Sequence, residues 1–221
     1  MSDGGEGEHR WREAGRPLVP TLVVRGELMP VLHVSQIAEA LGLPPPPGGS
    51  PCRDAQDATV ILDAWLSHIR ALEWEALLRP TPSRGRSLRN LTVNVFGPFE
   101  LLPAAWITGS FDWRPEEDGR REAALEDRTA LVNFAESAVA GWTRLLIEAG
   151  DELGRRDPLV ASRRGDVPFS TLLSFQRWHA AFHYRQLVEF LQPGGVLDLA
   201  AFEDLGLPRD VYEGLSAKET R

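Results

Sequence analysis

Cysteine is nearly absent from this chain. Cys52 is the single one in 221 residues, so no intrachain disulfide can form, which fits a reducing cytoplasm. A basic excess is also missing. Lys and Arg total 24 against 32 Asp and Glu, a net charge of −8. That balance excludes a general nucleic-acid binder, which needs a basic face to meet phosphates. It leaves room for a small anionic ligand in a locally basic pocket. Long apolar runs are lacking too: nothing approaches the roughly 18 residues a membrane-spanning helix needs. The N-terminal residues MSDGGEGEHRWREAG contain no apolar core of a signal peptide. No Walker loop, GxGxxG or GxSxG occurs, and Arg84-Gly85-Arg86 is too short for a nucleic-acid patch. The expectation is a soluble, cytoplasmic protein.

Bulky apolar residues are plentiful. Hydrophobic residues make up 43% of the chain, with seven Trp and nine Phe, enough to fill a sizeable core. The length suits one domain plus an appendage. Residues 1–16 are Gly-rich and charged and read as a disordered tail. Residues 17–43 read as an appendage. Thr21–Val24 and Leu28–His33 form a hairpin around Arg25-Gly26, with Pro30 favouring an edge. Ser35 then caps a helix over 36–41, ended by Gly42. Residues 44–56, opening with four prolines and two glycines, read as a linker. Cys52 lies within it and reads as a bystander thiol rather than a nucleophile.

From residue 57 the pattern is helical. Ile61, Trp65, Ile69, Leu72 and Ala76 mark one face of a helix over 58–79, with His68 at its edge. Ser87 caps a second helix, which Pro98 and Pro103 are expected to break before residue 108. Residues 112–119 read as an acidic surface loop. A third helix spans 121–153, carried by Leu131, Phe134, Ala138, Trp142 and Leu145. The fourth runs from Ser170 to Leu191 and stops at Pro193-Gly194-Gly195. A C-terminal extension follows over 193–221. Four long helices joined by modest loops predict a helix bundle with any site in its core.

The fourth helix carries the chemistry. Leu172, Phe175, His179, Phe182, His183, Gln186 and Phe190 share one face at three- and four-residue spacing. Histidines at i and i+4 point the same way and can grip one metal ion. They can equally form a hydrogen-bonded core pair, with Asn94 of the second helix as partner. Gln186, on the same face, can orient His183. Arg185 points off that face toward surface acids or the helix end. Trp178 is a core residue or groove wall. Trp106 and Trp113 either line a pocket mouth or simply pack.

Two resemblances bear on these residues. Val19-Pro20-Thr21, the hairpin and its helix resemble the C-terminal half of a glutaredoxin-like domain, without that family's redox Cys motif. His179-Ala-Ala-Phe-His183-Tyr-Arg-Gln186-Leu is similar to the HxxxH-x-x-Q-L ending of DinB/YfiT-like four-helix-bundle proteins. Arg79-Pro80 and Ser87-Leu88 fit that pattern upstream, and the resemblance covers roughly residues 57–192.

It implies a mainly α, DinB-like bundle beside the small β-hairpin and helix. It implies a divalent metal (Zn, Ni or Fe) held by one His of the second helix and two of the fourth. It also implies a low-molecular-weight thiol as co-substrate, made nucleophilic by the metal. The first ligand position here reads as Asn94, a weak neutral donor. Glu100 and His68 are the other candidates for it. On this reading His179, His183 and Asn94 are the metal set and Gln186 and Asn94 the catalytic pair. Arg185 and Trp178 meet the cofactor. The activity expected is a metal-dependent thiol transferase, isomerase or hydrolase. The alternative is a metal-free ligand-binding or dimerisation module. A small-molecule substrate is the expected partner, with a homodimer admitted and neither nucleic acid nor membrane involved.

Overall fold

The computed structural model describes residues 21–24, 26–30, 37, 40–42, 50–81, 85–163, 165–192 and 200–207. The expected tail, residues 44–49 of the expected linker and most of the C-terminal extension lie outside the described residues. The chain divides into two compact units, Met1–Gly48 and Gly49–Arg221.

In the first unit β1 (Thr21–Val24) pairs antiparallel with β2 (Glu27–Pro30), Val24 opposite Glu27. Gly26 in the turn has a φ of 87°, a conformation glycine adopts without steric cost. The expected hairpin is therefore present, ending at Pro30. Ile37 and Ala40 are helical, and the Leu41 N–H donates to the Ile37 carbonyl.

The second unit is mainly helical, with a small three-stranded sheet. Helix α1 (Pro51–Ala71) starts inside the expected linker, because Pro51 occupies the first turn, where its missing N–H costs nothing. The chain then straightens through Leu72 and Glu73 before the short α2 (Trp74–Leu78). The sequence offers no breaker for this interruption of the expected continuous helix.

Helix α3 (Leu88–Thr108) begins at Ser87, whose Oγ accepts from the Asn90 N–H at 3.0 Å. Contrary to expectation it runs unbroken through Pro98 and Pro103. Each proline removes a helical hydrogen bond, but Phe96, Phe99, Leu102 and Trp106 are buried along the same length, and their packing holds the helix together. After β3 (Ser110–Phe111) comes a tight turn over Pro115–Glu117 and then α4 (Asp118–Ala124), where a surface loop was expected. The expected third helix is divided. Helix α5 (Arg128–Ala149) has its own cap, the Asp127 carboxylate accepting from the Ala130 N–H at 2.8 Å. A short α6 (Glu152–Arg155) follows.

The expectation that the remainder is all helical also fails. Strands β4 (Leu159–Ser162) and β5 (Gly165–Pro168) pair antiparallel, and β3 joins β4 in parallel, Phe111 opposite Ser162. Helix α7 (Phe169–Leu191) follows at once. Its first turn is bonded by Asp157, which accepts from the Ser170 N–H at 2.8 Å and its Oγ at 2.7 Å. A further short helix, α8, spans Ala200–Glu203.

Side-chain pairs fix the directions of the long helices. Asp57 meets Arg177 and His68 meets Tyr184, so α1 and α7 run parallel. Thr59 meets Trp142 and Arg70 meets Glu136, so α5 runs opposite to α1. Between α3 and α5 the chain doubles back along α3. Trp113 lies at Gly97, Asp118 at Asn94 and Glu122 at Asn90. That return brings α5 in parallel to α3. The core between the four holds Trp65 and Trp142 fully buried. Each indole N–H donates to a threonine hydroxyl, Trp65 to Thr92 and Trp142 to Thr59, so neither buried donor is orphaned.

Candidate functional site

Helix α7 brings His179 and His183 together one turn apart, rings edge to face at 4.6 Å between centroids. His183 is buried and His179 half-buried. The His183 Nδ1 lies 3.4 Å from Gln186 Oε1. A carbonyl oxygen only accepts, so in this contact Nδ1–H is the donor. Gln186 is completely buried, so the expected orienting role has a geometric basis.

Aromatic rings surround this pair. Phe175 stacks on His179 at 6.0 Å, Trp178 on Phe182 at 5.4 Å, and Phe182 meets His183 edge to face. Trp178 is 45% exposed, so it forms an outer wall of the site rather than part of the core. Arg185 lies 5.5 Å over the Phe182 ring and pairs with Glu189 at 3.2 Å. Both partners are buried, whereas surface acids were expected. A buried pair of this kind stiffens one helical turn and leaves little charge to offer a ligand.

The other expected site residues go elsewhere. Asn94 is buried on α3, but its Nδ2 donates to Asp118 Oδ2 at 2.8 Å. No hydrogen bond joins Asn94 to His179 or His183. Asp118 is the polar partner that spacing on α3 and α7 could not reveal, because it arrives on the returning segment. Its burial pushes the carboxyl above the ordinary range, and the Asn94 bond pulls the other way. Glu100 is exposed and pairs with Arg121 at 3.3 Å. The His68 Nε2 lies 3.3 Å from the Tyr184 hydroxyl, and burial lowers the affinity of His68 for a proton. Trp106 packs edge to face on Phe169, and Trp113 covers Gly97. Neither lies among the residues around the histidines.

Among the described residues no group of three or more His, Cys, Asp and Glu side chains is placed to hold a metal ion. His179 and His183 supply two imidazoles, and the amide of Asn94 is committed to Asp118. The described donor set therefore does not complete the three-ligand centre that the resemblance implies. No described helix is long and apolar enough to cross a membrane.

No family model, curated protein or solved structure matches this chain.

Proposed function

We propose that the second unit is a DinB-like four-helix bundle that binds a small molecule at the His179–His183 face of α7. The observation that carries this reading is the fixed imidazole pair: His183 oriented by Gln186, with His179 edge to face beside it. A bare hydrogen-bonded core pair needs no aromatic wall. Here Phe175, Phe182 and the exposed Trp178 extend the pair toward the surface. An imidazole pair beside stacked rings suits a small polar ligand with a flat or apolar part, and a low-molecular-weight thiol belongs to that class.

A second reading, a metal-dependent thiol transferase, isomerase or hydrolase, is favoured by the same His183 tautomer. An Nδ1–H held by an acceptor is the arrangement that orients a metal-ligating imidazole. It requires a third donor beyond the described residues. Titrating glutathione and Zn²⁺, separately and together, into tag-free protein distinguishes the two. Thiol binding without metal supports the ligand-binding module. One equivalent of tightly held Zn²⁺ that thiol binding depends on supports the enzyme.

A further inference from the structure

The C-terminal halves of α3 and α5, which run parallel, leave a hollow of about 370 Å³ between them. Gly141 helps to open it. A Cβ there would meet the Pro103 ring at 3.9 Å, an ordinary contact, so the absent side chain leaves space rather than relieving a clash. Trp106 and Leu145 form buried walls, and Ile107 stands 71% exposed at the edge. The apolar surface continues past the hollow. Among the described residues of the second unit, the most exposed large apolar side chains are Ile147, at 77%, Ile107, and Leu159, at 66%. Ile147 lies three residues from Arg144 on α5 and is its neighbour on the helix surface. Leu159 adjoins the end of α3, its carbonyl 3.2 Å from a Cβ placed on Gly109. Single exposed apolar residues are ordinary, but several gathered beside a hollow mark an interaction surface.

The charges name the partner. Arg144 and Glu148 are the charged residues that line the hollow. They are exposed, opposite in sign and one helical turn apart on α5. Neither forms an ion pair or hydrogen bond, with the other or with any residue of the chain. An arginine that precedes its glutamate by four residues is the less favourable order for pairing along one helix. A two-fold axis crossing α5 between them would set the helices of two copies antiparallel. Arg144 of each copy then faces the partner's Glu148, and two ion pairs form where the single chain has none. Such a surface is complementary to itself, the condition for an isologous contact. A wholly acidic or wholly basic partner would match only half of it. We infer that this α3–α5 face is the two-fold interface of a homodimer, with Ile107 of each copy seated at the other's hollow and Arg144 paired with the partner's Glu148. Apolar burial supplies the affinity, and the crossed charges set the register. None of these residues belongs to the histidine face of α7.

The experiment is sedimentation equilibrium of the full chain and four variants, each checked by circular dichroism. The wild type is expected to reach the mass of two chains by about 100 µM. Ile107→Asp, at an exposed position, should be monomeric with an unchanged spectrum. Arg144→Glu and Glu148→Arg, each alone, set like charges against one another across the axis and should weaken association by about tenfold or more. The two combined restore the match and should recover the dimer. A wild type that stays monomeric at about 100 µM leaves the hollow to a different occupant and overturns the inference. So does a dimer that Ile107→Asp leaves intact, or a double variant that associates no more tightly than the single ones.

Discussion

Asn94 gives its side-chain amide to Asp118 across 2.8 Å, and this bond ties the returning segment to the middle of α3. It also decides what Asn94 is available for. An amide whose donor is held by a buried carboxylate is a structural clasp, and the histidines of α7 must do their work without it.

The clasp predicts a pH signature. Asp118 has a folded pKa raised above its ordinary value of 3.8 by burial. The folded state therefore holds that proton more tightly than the unfolded state. Its stabilising effect is present at low pH and is lost as pH rises through the folded pKa. Asp118→Asn keeps an oxygen to accept from Asn94 and removes the titration. Thermal melts from pH 4 upward should lose the downward slope that the wild type shows, with stability at pH 7 equal to or above it.

His68 predicts the opposite slope. Burial lowers its folded pKa below 6.5, so the unfolded chain protonates first as pH falls. Stability is full above 6.5 and declines as pH drops through the interval down to the folded pKa. His68→Gln, which can still meet the Tyr184 hydroxyl, should remove that acid sensitivity in melts between pH 7 and pH 5.

Between α1 and α7, Arg177 bridges Asp54 at 3.0 Å and Asp57 at 3.1 Å. Both carboxylates are buried. Arg177→Met leaves two buried acids without their common counter-charge and should cost about 3–5 kcal/mol in urea unfolding. The triple neutral replacement, with Asp54→Asn and Asp57→Asn added, should recover much of that loss.

Gly97 is a notch. A Cβ there would collide with the Trp113 ring, over which Arg121 lies at 5.4 Å. Gly97→Ala must displace Trp113 and should destabilise the protein by about 1–3 kcal/mol. Adding Trp113→Ala should make the Gly97→Ala step nearly neutral, a coupling that a double-mutant cycle measures.

Periodicity located the long helices, because each buries one stripe, as Ile61, Trp65 and Ile69 do on α1. The cap at Ser87 was legible for the same local reason, and the expected start at Ser170 lies one residue past the observed one at Phe169. What stayed hidden depends on tertiary packing. Prolines 98 and 103 read as breaks because their local cost is visible and the burial that offsets it is not. The strand Leu159–Ser162 is only four residues long, too short for a period to declare itself beside long helices. Within the site, the spacing on α7 placed His179, His183 and Gln186 on one face. The fates of Asn94, Glu100 and His68 turned on Asp118, Arg121 and Tyr184, which are 24, 21 and 116 residues away in sequence.

The most direct test is the titration of glutathione into metal-free protein, repeated with His183→Ala. The small-molecule reading predicts saturable one-to-one binding without added metal. It also predicts at least a tenfold loss in His183→Ala, with that variant still giving a cooperative melt. Absence of thiol binding until a full equivalent of Zn²⁺ is present, or unchanged affinity in His183→Ala, would contradict it.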